Sequence, residues 1–276
     1  MSNKILVLGS TGKTGKRIAD KLEQLKCPVV RASRNATPSF NWDEPDNWSQ
    51  LLKDIDQAYI SFQPDLAVPH AAEKIRLFTE KAREQKVRKL VLLSGRGEKE
   101  AAVSEGIVMT SGIDWTILRA SWFMQNFSEG FFLDSILSSE LVLPVLHKAE
   151  PFIDVDDLAD VAVASLTSAL HSHKIYELTG PELLTFNAAT DIIAEKLNRP
   201  ILVSEVSMDD YISMLRSFAV PEDFIWLIRY LFTELLDGRN ELLTNDVEKI
   251  LGRKPSDFRD YVTKTLNSGI WTAQLV

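Results

Sequence analysis

The sequence predicts an α/β fold, a doubly wound parallel sheet with a small, mostly helical C-terminal lobe. Three observations carry this. Short apolar runs alternate with longer helix-like stretches through the first half of the chain. The runs are continuous rather than alternating, as expected for strands buried on both faces. A glycine-rich turn follows the first run directly and opens the first helical stretch. Strand and helix in alternation give right-handed crossovers, hence a parallel sheet.

In order, the apolar runs are Ile5–Leu8, Val29–Ala32, 58–62, 89–93 and 115–118. The helical stretches between them are 13–26, 47–53, 68–85 and 98–110. After about Ser121 the rhythm changes. Residues 122–137 are aromatic-rich and amphipathic, with the aromatics at helical spacing, and short strands are expected at 141–143 and 151–153. Asp156 is suited to cap a helix reaching about residue 170, and Thr185 to cap the next one. Strands are expected at 175–178 and 201–206, and the chain from 207 onward reads mostly as helix. Residues 1–150 thus form the Rossmann core, and 151–276 complete it and add the lobe, as one compact unit. No repeat or low-complexity linker interrupts the chain.

The 276 residues are 45% hydrophobic and 25% charged, with a net charge of −8. That balance argues against nucleic acid, whose phosphates require clustered Lys and Arg. The single cysteine, Cys27, permits no intrachain disulfide and suits a reducing compartment. The first apolar run is too short for a signal-peptide core or a membrane span, so a cytoplasmic location with no membrane association is expected.

Chemistry is concentrated in Gly9, Ser10, Thr11, Gly12, Lys13, Thr14 and Gly15, a Gly-x-x-Gly-x-x-Gly turn between strand and helix. The first glycine permits a tight turn, the second lets backbone approach a pyrophosphate, and the third lets helix pack close to strand. The N–H groups and positive end of the helix then face the anion. An NAD-type site places an acid about 20 residues beyond this turn, on the ribose 2′-hydroxyl. Here the end of the second strand reads Arg31-Ala32-Ser33-Arg34-Asn35, with no acid. Arg34 can fork onto a 2′-phosphate, Ser33 can donate to it, and Lys13 can add charge. NADP(H) is therefore expected as cofactor, with NAD(H) the alternative. Ligands of such sheets bind beyond the carboxyl ends of the strands. Residues 61–64, 94–97 and 119–121 are the candidate walls.

At these residues the chain resembles the NmrA-like branch of the atypical short-chain dehydrogenase/reductases, and within it the ergot-alkaloid-type reductases and their bacterial relatives. The resemblance rests on residues 6–15 and 31–34, and on Val91-Leu92-Leu93-Ser94. It continues through Ser111-Gly112-Ile113-Asp114-Trp115-Thr116-Ile117-Leu118-Arg119 and Trp122-Phe123-Met124-Gln125-Asn126-Phe127. Residues 152–162, 176–181 and Leu251-Gly252-Arg253-Lys254-Pro255 complete it, so that it spans nearly the whole chain. It implies a Rossmann core with a C-terminal substrate lobe, in a family that binds NAD(P)(H). Some members reduce quinones, dyes, iminium ions or activated double bonds, and others sense the dinucleotide without turnover. By position, the resemblance implies that the glycine turn holds the pyrophosphate and that Arg34 with Ser33 reads the 2′-phosphate. Phe62 and Gln63 of the 61–64 loop, Ser94, and Met124 would border the cofactor, with Gln125 and Asn126 near the nicotinamide.

One departure from the wider superfamily bears on mechanism. Other branches use Tyr-x-x-x-Lys, in which the lysine lowers the phenol pKa for proton transfer. None of the five tyrosines here has Lys four residues later. Ordinary alcohol–ketone chemistry is therefore disfavoured. Electron-poor acceptors remain, since an iminium carbon needs no proton and a quinone or enone delocalises its charge. The expectation is an NAD(P)H-dependent reductase of a small, flat or aromatic molecule, with Ser94, Arg96, Gln125 and Asn126 as candidate polar contacts in catalysis. A non-catalytic NADP(H) sensor is the alternative, and a non-redox cyclase or isomerase a third.

No metal is expected. His171 and His173 flank an exposed turn without an obvious third ligand. Asp154, Asp156 and Asp157 are explained by helix capping and the helix dipole. His147 reads as a surface residue. Trp122, Phe123, Phe127, Phe131 and Phe132 read mainly as core, as do Phe218, Phe224, Trp226 and Phe232, although members of either group can line an apolar pocket.

Overall fold

The computed structural model describes residues 3–272. In chain order its elements are β1 (Ile5–Leu8), α1 (Lys13–Gln24), β2 (Val29–Ala32), α2 (Trp48–Leu51), β3 (Gln57–Ile60), α3 (Ala71–Glu84), β4 (Lys89–Gly95), α4 (Lys99–Met109) and β5 (Asp114–Ala120). There follow α5 (Leu133–Ser138), β6 (Glu140–Leu143), β7 (Ala149–Glu150), α6 (Val155–Thr167), β8 (Lys174–Leu178), β9 (Leu184–Thr185) and α7 (Phe186–Leu197). The last are β10 (Leu202–Glu205), α8 (Met208–Ser217), α9 (Glu222–Tyr230), α10 (Asp246–Leu251) and α11 (Phe258–Asn267). Among the described residues no helix is long and apolar enough to cross a membrane.

Two compact units emerge, each assembled from three stretches of chain. The first takes the chain up to Ala120, then Val155–Leu178 and Asp246–Arg253. The second takes Ser121–Asp154, Thr179–Asn245 and the chain from Lys254 onward.

The first unit holds a six-stranded sheet in the order β2-β1-β3-β4-β5-β8. Every pairing in it is parallel. Helices α1 and α6 pack together, as do α3 and α4. The buried strand residues Leu6, Leu8, Ala58, Ile60, Leu90, Leu92 and Ile117 share one core with Ile75 and Phe78 of α3. Burial on both faces explains why these strands lack polar alternation.

Just beyond β2, the Ala32 carbonyl accepts from Ser10 N on the β1 side. The Ser33 carbonyl, pointing the other way, accepts from Phe40 N, and Ser33 bridges Ser39 in parallel. Counting that bridge as a vestigial third strand, the order reads 3-2-1-4-5-6-7, the doubly wound 3-2-1-4-5-6 order of dinucleotide folds with one further strand at its far edge. Where a crossover helix would be expected, the chain buries an aromatic cluster. Phe40 stacks on Trp48 at 5.5 Å, Trp42 meets both edge-on, and Phe78 closes the group. The indole N–H groups are satisfied by main chain, Trp42 on Ser61 and Trp48 on Asn41.

The acidic face of α6 pins its neighbours. Asp156 pairs with Arg17 at 3.0 Å and Asp160 with Lys21 at 2.6 Å, both on α1. Arg253, just beyond α10, meets the fully buried Asp157 at 2.6 Å and Asp160 at 2.7 Å. Because α6 begins at Val155, Asp156 lies in its first turn rather than at its cap. The helix also ends at Thr167, before a separate 3-10 turn at Ala169–His171 that Ser168 caps.

In the second unit β6 pairs with β10 in parallel and β7 with β9 antiparallel. Thr185 caps α7 by accepting from Ala188 N, as its sequence position suggested. Two expectations are corrected here. The stretch 122–137 is not one helix but a 3-10 turn at Met124–Phe127 followed by α5. In one continuous helix, residues five apart would point about 140° away from each other. The break around Ser128 and Gly130 lets Trp122, Phe127 and Phe132 all pack with Phe186. Residues 151–153 form no strand; only Ile153 bridges, to Phe123. Pro151 has no N–H to offer a ladder.

Replacing Arg253 with Met should leave the Asp157 carboxylate buried without its guanidinium. A loss of about 1–3 kcal/mol is expected from urea unfolding, with the companion Asp157→Asn, Arg253→Met pair recovering much of it.

Candidate functional site

The glycine turn has the geometry its spacing implies. Gly9 adopts φ +66°, and a side chain there would press on Ser61 Oγ at 2.5 Å. A Cβ on Gly15 would overlap the Gly9 carbonyl, so its absence sets how closely α1 approaches β1. At Gly12 the nearest atom to an added Cβ is the Gly9 oxygen at 3.3 Å, which leaves the turn's outer side open for backbone approach. Ser10 and Thr14 are buried, whereas Thr11 is exposed and Lys13 half-buried. Ser61, which supports Gly9 from the end of β3, donates from Oγ to the Leu8 carbonyl at 3.2 Å.

At the end of β2 the two arginines diverge. Arg31 is engaged by Asp20 and Glu23 of α1 at 2.5 and 2.8 Å. Arg34 is exposed and makes one long contact, from Nη2 to Gln63 Oε1 at 3.5 Å. The Ser33 hydroxyl is buried with no hydrogen-bond partner. Phe62 packs on Trp42 at 4.8 Å, and Gln63 is exposed beside it. A phosphorylated ribose fits this group: an orphaned hydroxyl, a guanidinium without a carboxylate, and no acid where a 2′-hydroxyl would need one.

Beyond β4 the polar residues serve one another. Ser94 donates to Glu105 Oε1 at 2.6 Å, and both are buried. Arg119 binds the same carboxylate through Nε and Nη2, at 2.9 and 2.7 Å, and reaches Glu177 at 3.5 Å. Arg96, 5% exposed, pairs with Glu177 at 3.0 Å, while its N–H donates to the Ala120 carbonyl. This network ties the carboxyl ends of β4, β5 and β8 together around the 94–97 loop. Sequence reasoning singled out Ser94 and Arg96, and Arg119 as part of a wall, but not Glu105, which α4 supplies, or Glu177, which the strand order brings close.

A second grouping was also missed. Asp65, after the 61–64 loop, faces Glu98, after the 94–97 loop. Glu98 occupies the N-cap of α4 but makes no side-chain capping bond. Its carboxyl lies against Gly95, where a Cβ would overlap it. Burial, then the Asp65 carboxyl, push Glu98 well above the ordinary value of 4.5. Asp65 is itself raised by burial, partly offset by the Ala67 N–H it accepts at 2.8 Å. The acids at 98 and 100, directly following a glycine loop at a strand end, were the available signal.

Tyr59, Tyr176, Tyr211 and Tyr261 offer no activated phenol. Burial raises Tyr59, Tyr211 and Tyr261 above the ordinary range. Tyr176 bonds to His171 Nδ1 at 2.9 Å.

Met124, Gln125 and Asn126 belong to the second unit. Met124 and Gln125 are buried there, with Gln125 donating to Asp154 Oδ1 at 2.6 Å. Asn126 is half-buried, and its carbonyl accepts from Phe132 N. Phe127, Phe132 and Phe232 are core, whereas Phe131, Phe218, Phe224 and Trp226 are exposed. His173 lies 3.7 Å from Asp114, and the exposed His147 lies 3.9 Å from Glu205. Among the described residues no group of three or more His, Cys, Asp or Glu is arranged to hold a metal ion.

No family model matches the chain. It is 28% identical to an agroclavine dehydrogenase from Claviceps fusiformis, over 97% of this chain and 98% of that protein. It is 29% identical to festuclavine synthase II from Penicillium roqueforti, over 93% and 96% respectively. Among solved structures it superposes on the Citrobacter sp. triphenylmethane reductase complexed with NADP(H), with a TM-score of 0.80. That match covers 95% of this chain and 99% of the other at 17% identity, which speaks to the fold alone.

Two outcomes follow from this geometry. Gly15→Ala should force α1 away from β1 and lower stability by about 1–3 kcal/mol in thermal or urea unfolding. Glu98 holds its proton to higher pH in the folded state than in the unfolded chain. Its contribution to stability is thus full below about 4.5 and is lost as pH rises through the raised value. The difference in unfolding free energy between wild type and Glu98→Gln, measured against pH, should fall across that window; a pH-independent difference would contradict it.

Proposed function

Because the chain belongs to the NmrA-like atypical short-chain dehydrogenase/reductases, among the ergot-alkaloid-type reductases and their relatives, we propose that it is an NADP(H)-dependent reductase of electron-poor organic acceptors. The acceptor classes that suit it are quinones, iminium or other stabilised carbocations, and activated double bonds. The observation that carries the cofactor choice is the end of β2: an exposed Arg34, a buried and unpartnered Ser33 hydroxyl, and no carboxylate. The names of the relatives, a dehydrogenase and a synthase, favour turnover over a sensing role.

When bound, the dinucleotide supplies the hydride. The chain's own residues then have distinct tasks. The first turn of α1 presents main-chain N–H groups to the diphosphate, where Gly12 lets it come close. Arg34 and Ser33 take the 2′-phosphate, with Lys13 adding positive charge. The Glu105–Arg119–Glu177–Arg96 network fixes the 94–97 loop, so that the strand ends keep one shape as ligand enters. With every buried tyrosine holding its proton and no lysine to activate one, acceptors that need no strong acid at oxygen are favoured.

Arg34→Ala should weaken NADPH binding by about ten- to a hundredfold in calorimetry and leave NADH much less affected, as removal of a charge-assisted contact predicts. Equal losses for both nucleotides would reject the 2′-phosphate assignment. Oxidation of NADPH by a panel of quinones, imines and dye cations tests turnover itself; tight binding with no consumption across the panel would reject the reductase reading.

A further inference from the structure

We infer that Glu98, paired with Asp65, is the internal acid of this protein, holding at neutral pH the proton that completes reduction of a neutral acceptor. The inference rests on the reductase reading and goes beyond it, because that reading leaves the proton without a source.

The placement follows from the sheet. Arg34 lies at the end of β2 and the glycine turn between β1 and α1. A dinucleotide with its adenosine phosphate on Arg34 and its diphosphate at that turn must run its other half the opposite way. In the order β2-β1-β3-β4, the opposite way is over β3 and β4. Asp65 follows the end of β3 and Glu98 the end of β4, so both carboxyls stand at the hydride half of the site.

The local structure is built for a retained proton. Glu98 is 8% exposed, and its Oε2 is buried without a hydrogen-bond partner. Its carboxyl occupies the space that a Gly95 side chain would fill. No Lys, Arg or His pairs with either acid among the described residues. The charges that act most strongly on Glu98 are those of Asp65, Glu100 and Glu105, all acidic. Glu105 is already matched by Arg119, so its guanidinium does not serve Glu98. A buried carboxyl with a second acid nearby and no cation paired to it favours its protonated form.

The step balances with a quinone. Hydride leaves the nicotinamide and its two electrons reduce the quinone to the hydroquinone monoanion. The Glu98 O–H bond breaks as the phenol O–H bond forms, and water returns a proton to the carboxylate. The sum is quinone, NADPH and one proton giving hydroquinone and NADP+. A triarylmethyl cation accepts hydride and requires no proton, which supplies the control.

Two measurements test the pair. The first needs no cofactor. The infrared spectrum of wild-type protein at neutral pH, minus that of Glu98→Gln, should contain the carbonyl band of a buried, protonated carboxylic acid. Its absence would overturn the proposal. The second compares acceptors. Relative to reduction of a triphenylmethane dye cation, benzoquinone reduction should fall at least about tenfold in Glu98→Gln, as loss of a general acid predicts. Quinone turnover by wild type should decline at alkaline pH; that decline should vanish in the variant, and Asp65→Asn should move it. Equal losses on both acceptors, or an unchanged pH profile, would overturn it. If wild type reduces neither acceptor, the reductase reading fails, while the infrared band still decides whether the pair holds its proton.

Discussion

The contact between Gly15 and the Gly9 carbonyl is the constraint from which the rest of the first unit follows. Only a residue without a side chain lets α1 begin this close to β1. That closeness turns the first helical N–H groups toward the carboxyl edge of the sheet, where a diphosphate can meet them. It also brings α1 near enough to α6 for Arg17 and Lys21 to reach Asp156 and Asp160. The left-handed Gly9 then rests directly on Ser61, so the turn after β1 and the loop after β3 are set by one another.

Charge at the strand ends is divided between two regimes. Glu105, Arg119, Glu177 and Arg96 are mutually compensated, and each buried charge finds an opposite partner within hydrogen-bond reach. Such networks fix geometry more reliably than they add stability. One strand nearer the glycine turn, Asp65 and Glu98 have no such partner, and burial raises both carboxyls above their ordinary values. The fold therefore sets a charge-compensated wall beside one that favours a proton.

The strands of the first unit were legible in the sequence almost to the residue, because burial on both faces leaves an unbroken apolar run that few other structures produce. Ile5–Leu8, buried throughout, is the case in point. The glycine turn was legible for the same kind of reason: each glycine answers a separate steric demand. Residues 122–137 misled because hydrophobicity at every few positions suits one helix, while burying residues 122, 127 and 132 together requires a break. The partners of Ser94 and Arg96 were hidden because they lie 11 and 81 residues away; the packing of α4 on β4 supplies the first and the parallel order of β4, β5 and β8 the second. The Asp65–Glu98 pair was masked differently. An acid just before a helix is expected to cap it, and Glu98 declines that role.

The division of the chain into interleaved stretches has a consequence for anyone who would rebuild it. The polypeptide passes from one unit to the other five times, at residues 120, 154, 178, 245 and 253. A chimera that borrows the second unit from a relative must therefore exchange three separate segments at once. No single crossover in the gene separates the two units, because β8 and α6 of the first follow a stretch of the second.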